Sequence, residues 1–69
     1  MAKKKIEFNS NKVRACIAEA GITQAKLAKY LGIALPTLNF KLNGKQEFKV
    51  GEVQKIAYYF NKEIGYFFE

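Results

Sequence analysis

The sequence has 69 residues, a length that predicts one small domain spanning residues 1–69. Twelve Lys and Arg residues face six Glu and no Asp, so the net charge is +6 at neutral pH. A single Cys and the absence of His exclude an internal disulfide, an ordinary zinc site and general acid–base catalysis by histidine. We therefore expect no metal, no cofactor and no enzymatic activity.

The excess of positive charge favours a polyanionic partner, with nucleic acid ahead of an acidic membrane surface. The alternative is that the extra lysines serve only solubility. No apolar run approaches the roughly 18 residues of a membrane-spanning helix, and the basic start at residues 1–5 lacks the following apolar segment of a signal peptide. We expect a cytoplasmic protein in which residues 1–5 form a flexible basic arm.

The first predicted helix follows Asn9 or Ser10, either of which can accept a hydrogen bond from an N–H group of the opening turn. It ends at Gly21, because glycine tolerates the left-handed conformation of a helix stop. Its inward face is indicated by residues that recur at helical spacing: Val13, Cys16, Ile17 and Ala20. We expect Cys16 to be a small buried hydrophobe rather than a nucleophile.

Two further helices follow in quick succession. The second is predicted between Thr23, its N-cap, and Gly32, its stop. Its inner stripe consists of Leu27, Ala28 and Leu31. The third helix has Pro36 in its first turn, where the missing N–H costs nothing, and it closes at residues 43–44.

A fourth helix is predicted after residue 49, with a weak start because Lys49 and Gly51 offer no good cap. Its apolar residues at helical spacing are Val50, Val53, Ile56, Ala57 and Phe60. Residues 6–8 alternate like a short strand, and residues 66–69 could be its partner. The predicted fold is therefore mainly α, with four to five helices and with or without a short β-pairing of the terminal segments.

The third helix has an outward side of unusual composition. With Leu38 at the centre of the inner face, Leu42 lies about 40° away and Phe40 about 200° away, at about 100° per residue. The outward sector holds Pro36, Thr37, Asn39 and Phe40, with Lys41 at its edge. Such a surface suits a DNA major groove, because lysines meet phosphate oxygens while amide, hydroxyl and apolar groups meet base edges.

Each of these outward residues has an alternative interpretation. In a groove, Phe40 would read a thymine methyl group and Asn39 an adenine. Phe40 could instead lie under the following loop against Phe48, or contact another protein. Thr37 and Asn39 could be ordinary solvated helix residues.

The segment ITQAKLAKYLGIALPTLNFKLNGKQEF resembles the helix-turn-helix of the lambda-repressor/Cro (XRE-like) family. The matching motifs are Thr23-Gln24, Leu27-Ala28, Leu31-Gly32-Ile33, Leu38 and Asn43-Gly44-Lys45. The resemblance covers roughly residues 13–68, with the helix-turn-helix at about 23–42. It implies a lambda-repressor-like fold and a sequence-specific regulator of transcription that binds double-stranded DNA. The final segment and the loop after the third helix look most like small phage and prophage regulators from Gram-positive bacteria, which implies a protein associated with the bacterial nucleoid.

The resemblance also implies contacts for individual residues. It places Gln24 against a phosphate, with or without an additional base contact, near the edge of the groove. The family's recognition positions are occupied here by Leu35, Pro36, Thr37 and Phe40, and its backbone-contacting loop positions by Asn43 and Lys45. Lys41 departs from the family, which usually has an aliphatic residue there, and we expect Leu42 to take over that burial.

The expected assembly is a homodimer, at least on DNA, because helix-turn-helix proteins usually bind half-sites about 34 Å apart. The dimer could use the aromatic segment at residues 66–68, unless these residues fold back on the N-terminal segment. We expect no membrane partner and no small-molecule ligand. The alternative function is a protein–protein interaction module, such as an antirepressor or phage modulator, that uses Phe40 and its neighbours.

Overall fold

The computed structural model describes residues 8–68, which form four α-helices and a short C-terminal 3₁₀ helix. The elements are α1 (Ser10–Ala20), α2 (Gln24–Leu31), α3 (Leu35–Leu42), α4 (Val50–Tyr59) and the 3₁₀ helix (Ile64–Phe68). This part of the chain contains no β-strand, so the mainly α fold is confirmed, and residues 66–68 belong to the 3₁₀ helix instead of forming the optional strand. The predicted basic arm, residues 6–7 of the other strand and residue 69 lie outside the described residues.

Local sequence signals set the ends of the first two helices. The side chain of Asn9 accepts a hydrogen bond from the first turn of α1, and Thr23 Oγ1 accepts one from the backbone N–H of Lys26, 3.1 Å away. Gly21 and Gly32 end α1 and α2 with φ angles of 70° and 75°, in the left-handed region that favours glycine. The predicted N-cap and stop of α2 are therefore confirmed.

The core lies where α3 packs against α1 and α2, with α4 contacting α2 and the 3₁₀ helix. Its fully buried larger side chains are Val13, Leu27, Leu38, Leu42, Ile56 and Phe67. Cys16 is buried as predicted, and burial raises the pKa of its thiol. Ala20 and Val50 are exposed, contrary to the helical pattern, because each is the terminal residue of its helix.

Aromatic residues join the two ends of the described chain. The backbone N–H of Asn9 donates to the Phe67 carbonyl over 2.6 Å. The Phe8 ring lies 4.7 Å from that of Phe48, 5.9 Å from that of Phe67 and 5.5 Å from that of Phe68, measured between centroids. The C-terminal aromatics thus pack within their own chain, which is the fold-back alternative of the sequence analysis.

Replacing Phe67 by alanine should lower the free energy of unfolding by about 3–5 kcal/mol, because the ring is completely buried and its loss leaves a cavity. Tyr58→Ala is the matched control, since this aromatic side chain is 82% exposed and its loss should cost less than about 0.5 kcal/mol. Urea denaturation followed by circular dichroism measures both variants. Equal midpoints would contradict the structural role of Phe67.

Candidate nucleic-acid interface

The outward side of α3 is exposed at its apolar residues. Pro36 lies in the first turn, and the preceding N-cap, Ala34, makes no side-chain hydrogen bond. Leu35 is 39% exposed and Phe40 52% exposed, while Thr37 and Asn39 are half-buried. Pro36 is also exposed and lies one turn before Phe40, so the two form neighbouring parts of one apolar surface.

Phe40 does not pack under the loop that follows α3. The ring of Phe48, its suggested partner, lies against Phe8 instead, and Phe40 makes no ring contact with any aromatic residue between positions 8 and 68. The packing alternative for Phe40 is therefore wrong. The exposed part of Phe40 is therefore accessible to a partner molecule, whether nucleic acid or protein.

Two other predicted site segments flank this surface. Gln24 is the first residue of α2, half-buried beside the exposed N-cap Thr23. After α3, Asn43, Gly44 and Lys45 are all exposed, and Gly44 has a φ of 78° that lets the chain turn sharply. The predicted contacts in the loop are therefore accessible to a partner.

Lys41 is not at the exposed edge of α3, so this part of the prediction is wrong. Its side chain is almost completely buried, and its ammonium group lies 2.5 Å from Glu52 Oε1. Glu52 lies in the first turn of α4, so the ion pair links α3 to α4. Because the buried Lys41 ammonium is paired with Glu52, Lys41 does not belong to the candidate interface.

The Glu52 carboxylate has a second role at the start of α4. Oε1 also accepts a hydrogen bond from the backbone N–H of Lys49, the N-cap residue, over 2.9 Å. This bond caps the start of α4, although Lys49 itself is a poor N-cap residue. Burial raises the pKa of Glu52, but the hydrogen bonds and positive charges of Lys41 and Lys49 outweigh it, so the pKa lies below its ordinary value.

A further side chain reaches the loop from α1. Arg14 donates from Nη2 to Asn43 Oδ1 over 2.6 Å and from Nη1 to Asn11 Oδ1 over 3.1 Å. No sequence pattern indicates Arg14 as a site residue. Since 29 residues separate it from Asn43, neither periodicity nor motif spacing links the two positions.

Among residues 8–68, no helix combines the length and apolar character needed to cross a membrane. The same residues include no group of His, Cys, Asp and Glu side chains placed to hold a metal ion.

Comparison with known proteins agrees with this geometry. A family model described as helix-turn-helix matches residues 13–67. Among solved structures, the chain is similar to the solution structure of the SOS-response transcriptional repressor LexA from Eubacterium rectale, with 31% sequence identity and a TM-score of 0.81. That similarity covers 100% of this chain and 74% of the other. No curated protein gives a significant match.

We expect Glu52→Gln to lower the free energy of unfolding at neutral pH by about 1–3 kcal/mol, because the buried Lys41 ammonium loses its counter-charge. The folded-state pKa of Glu52 is lowered, so its carboxylate stabilises the protein above the unfolded pKa of about 4.3. That contribution is lost as the pH falls through the folded-state pKa. The stability difference between wild type and variant should be constant from neutral pH to about pH 5 and shrink below about pH 4.3.

Urea denaturation across this pH range measures the difference. Glu47→Gln is the control, because it removes an exposed carboxylate from the loop that precedes α4 and should change stability little at any pH. A difference between wild type and Glu52→Gln that persists undiminished at pH 3 would show that Glu52 is not the titrating group.

Proposed function

Because the chain belongs to the lambda-repressor-type (XRE-like) helix-turn-helix family of DNA-binding transcription regulators, we propose that it reads DNA sequence with α3 in the major groove. The exposed, uncharged outward side of α3, followed at once by a basic loop, is the observation that carries this proposal. A major groove about 12 Å wide accommodates an α-helix with its side chains. Neutral groups then face the bases while positive groups face the phosphates.

Base contacts in this arrangement come from the exposed side of α3. Phe40 is placed against a thymine methyl group, the apolar feature that distinguishes this base in the major groove. Leu35 and Pro36 extend the apolar contact toward the start of the helix. Asn39 and Thr37 are half-buried, so each offers one exposed edge for a hydrogen bond to a base or a phosphate.

Phosphate contacts come from the two ends of the helix-turn-helix. Gln24 lies in the first turn of α2, where free backbone N–H groups and the helix dipole favour an anion. Lys45 and Asn43 lie in the loop after α3 and are exposed. These contacts fix the position of the protein on the duplex without reading its sequence.

We further propose a Cro-like or repressor-like role on a symmetric operator, with the chain acting as a homodimer. Two-fold symmetric proteins of this kind read half-sites one helical turn apart, so the bound DNA should contain an inverted repeat. The name of the similar solved structure, a transcriptional repressor, supports repression over activation. A phage or prophage origin is proposed from the sequence resemblance.

Selection of bound duplexes from a random DNA pool at moderate salt tests the proposed function. A regulator of this kind should enrich one sequence, and its affinity should fall steeply with salt as phosphate contacts release counterions. The proposal would be overturned if no sequence were enriched and the affinity for DNA did not change with salt concentration. Specific, salt-insensitive capture of a protein would instead support the protein-interaction alternative.

Phe40→Ala should reduce discrimination in favour of thymine at one position of the selected duplex by about 1 kcal/mol, or roughly fivefold. Replacing each thymine by uracil in turn removes only the methyl group and so isolates the contact. One uracil substitution should lower the affinity of the wild type and leave the affinity of Phe40→Ala unchanged. Tyr58→Ala, an exposed aromatic on α4, is the control and should behave as wild type. Equal sensitivity of wild type and Phe40→Ala to every uracil would contradict methyl reading.

Lys45→Ala should weaken binding to the selected duplex and to a mixed-sequence duplex by the same factor, because a phosphate contact carries no sequence information. The slope of log affinity against log salt should become shallower by about 1. Lys55→Ala, which removes an exposed lysine from α4, is the matched control and should leave both quantities unchanged. A change in sequence preference without a change in slope would rule out the assigned contact.

A further inference from the structure

We propose that Arg14 and Asn43 form a phosphate clamp, an anion site that joins α1 to the end of α3 and contacts the DNA backbone. This inference deepens the proposed function and depends on it. It adds α1 to the DNA-contacting elements, which the sequence analysis restricted to α2, α3 and the following loop. The clamp is defined by the Arg14 guanidinium and the Asn43 side-chain amide.

The guanidinium of Arg14 is held in place by neutral oxygen atoms. These two oxygens belong to the side chains of Asn11 and Asn43. No carboxylate among the described residues pairs with it. Residues 8–68 occupy two of the five guanidinium N–H donors, so three donors are used by no residue in this part of the chain. A half-buried cation with free donors is preorganised for an anion.

The same hydrogen bond orients the amide of Asn43. Arginine has no acceptor, so the Asn43 atom that faces it must be the oxygen. The Asn43 NH₂ group is then left to donate, and it is bonded to the same carbon as the engaged oxygen. Its free N–H groups therefore lie within a few ångströms of the guanidinium. One phosphate group can accept hydrogen bonds from both side chains.

The carboxyl end of a helix ordinarily repels an anion, because its last carbonyl groups are unpaired. At α3 these groups are occupied. The carbonyls of residues 39–41 accept hydrogen bonds from backbone N–H groups of the loop, and the Leu42 carbonyl accepts one from Ser10 Oγ over 2.9 Å. The Arg14 charge further offsets the negative end of the helix dipole. A phosphate can therefore approach Asn43 without facing bare carbonyl oxygens.

The test compares fluorescence-anisotropy titrations of Arg14→Gln, Arg14→Lys and wild type over a series of salt concentrations. The probes are a duplex recovered by selection with wild type and a mixed-sequence duplex of equal length. Arg14→Gln should weaken binding to both probes by the same factor, roughly tenfold, and make the salt slope shallower by about 1. Arg14→Lys keeps the charge and should keep the wild-type slope. Lys55→Gln, which removes an exposed charge from α4, should match wild type.

A double-mutant cycle checks that the two side chains act together. The combined Arg14→Gln and Asn43→Ala variant should lose clearly less affinity than the product of the two single losses, because both residues serve one phosphate. Thermal unfolding of every variant confirms that it is folded at the assay temperature. Independent, multiplicative losses would overturn the shared site.

The remaining outcomes separate the clamp from the proposed function. If wild type binds DNA with a steep salt slope and Arg14→Gln has the same slope, the clamp is wrong while DNA binding stands. If Arg14→Lys loses as much affinity and slope as Arg14→Gln, Arg14 only braces Asn43 and the direct phosphate contact is overturned. If the wild type enriches no duplex and its affinity for DNA does not depend on salt concentration, both the clamp and the proposed function are wrong.

Discussion

The Glu52 carboxylate holds the end of α3 and the start of α4 through a single oxygen atom. Oε1 accepts from the Lys41 ammonium and from the Lys49 backbone N–H, so both ends of the intervening loop are tied to one group. That loop buries little of its own surface, since residues 43–47 are all exposed. This tie acts together with the hydrogen bonds from loop N–H groups to the last carbonyls of α3 and with the Arg14–Asn43 bond, and these contacts fix the loop that presents Asn43 and Lys45.

The ion pair is better understood as a geometric constraint than as a source of net stability. Removing two charges from water costs several kcal/mol per ion, and their attraction offsets this only when the geometry is good. An aliphatic side chain at position 41 could pack in several orientations, whereas Lys41 must reach Glu52 at hydrogen-bond distance. We interpret the pair as fixing the rotation of α3 about its axis. That rotation keeps Leu38 and Leu42 inside and leaves Phe40 outside.

Periodicity and capping signals were enough to predict the helices and the outward direction of Phe40, because these depend on near neighbours in the chain. The burial of Lys41 was missed for a physical reason. Lys41 lies only about 60° from Leu38 around the helix, a position that is compatible with burial. A lysine is nevertheless expected in solvent unless a buried counter-charge pairs with it. Glu52 provides that counter-charge from another helix, and Arg14 reaches the loop across 29 residues. Such pairings are set by tertiary packing, which one sequence does not display.

In the proposed binding mode, affinity and sequence preference come from different residues. The outward side of α3 offers mainly apolar contacts, which lack the bidentate hydrogen bonds that are each worth about 1–3 kcal/mol of discrimination, while phosphate contacts bind all sequences alike. One chain alone would therefore bind DNA readily but distinguish sites poorly. Discrimination energies at separate base pairs are roughly additive, so a second copy on a symmetric half-site doubles them. The apolar character of Leu35, Pro36 and Phe40 therefore supports the proposal that the chain reads DNA as a dimer.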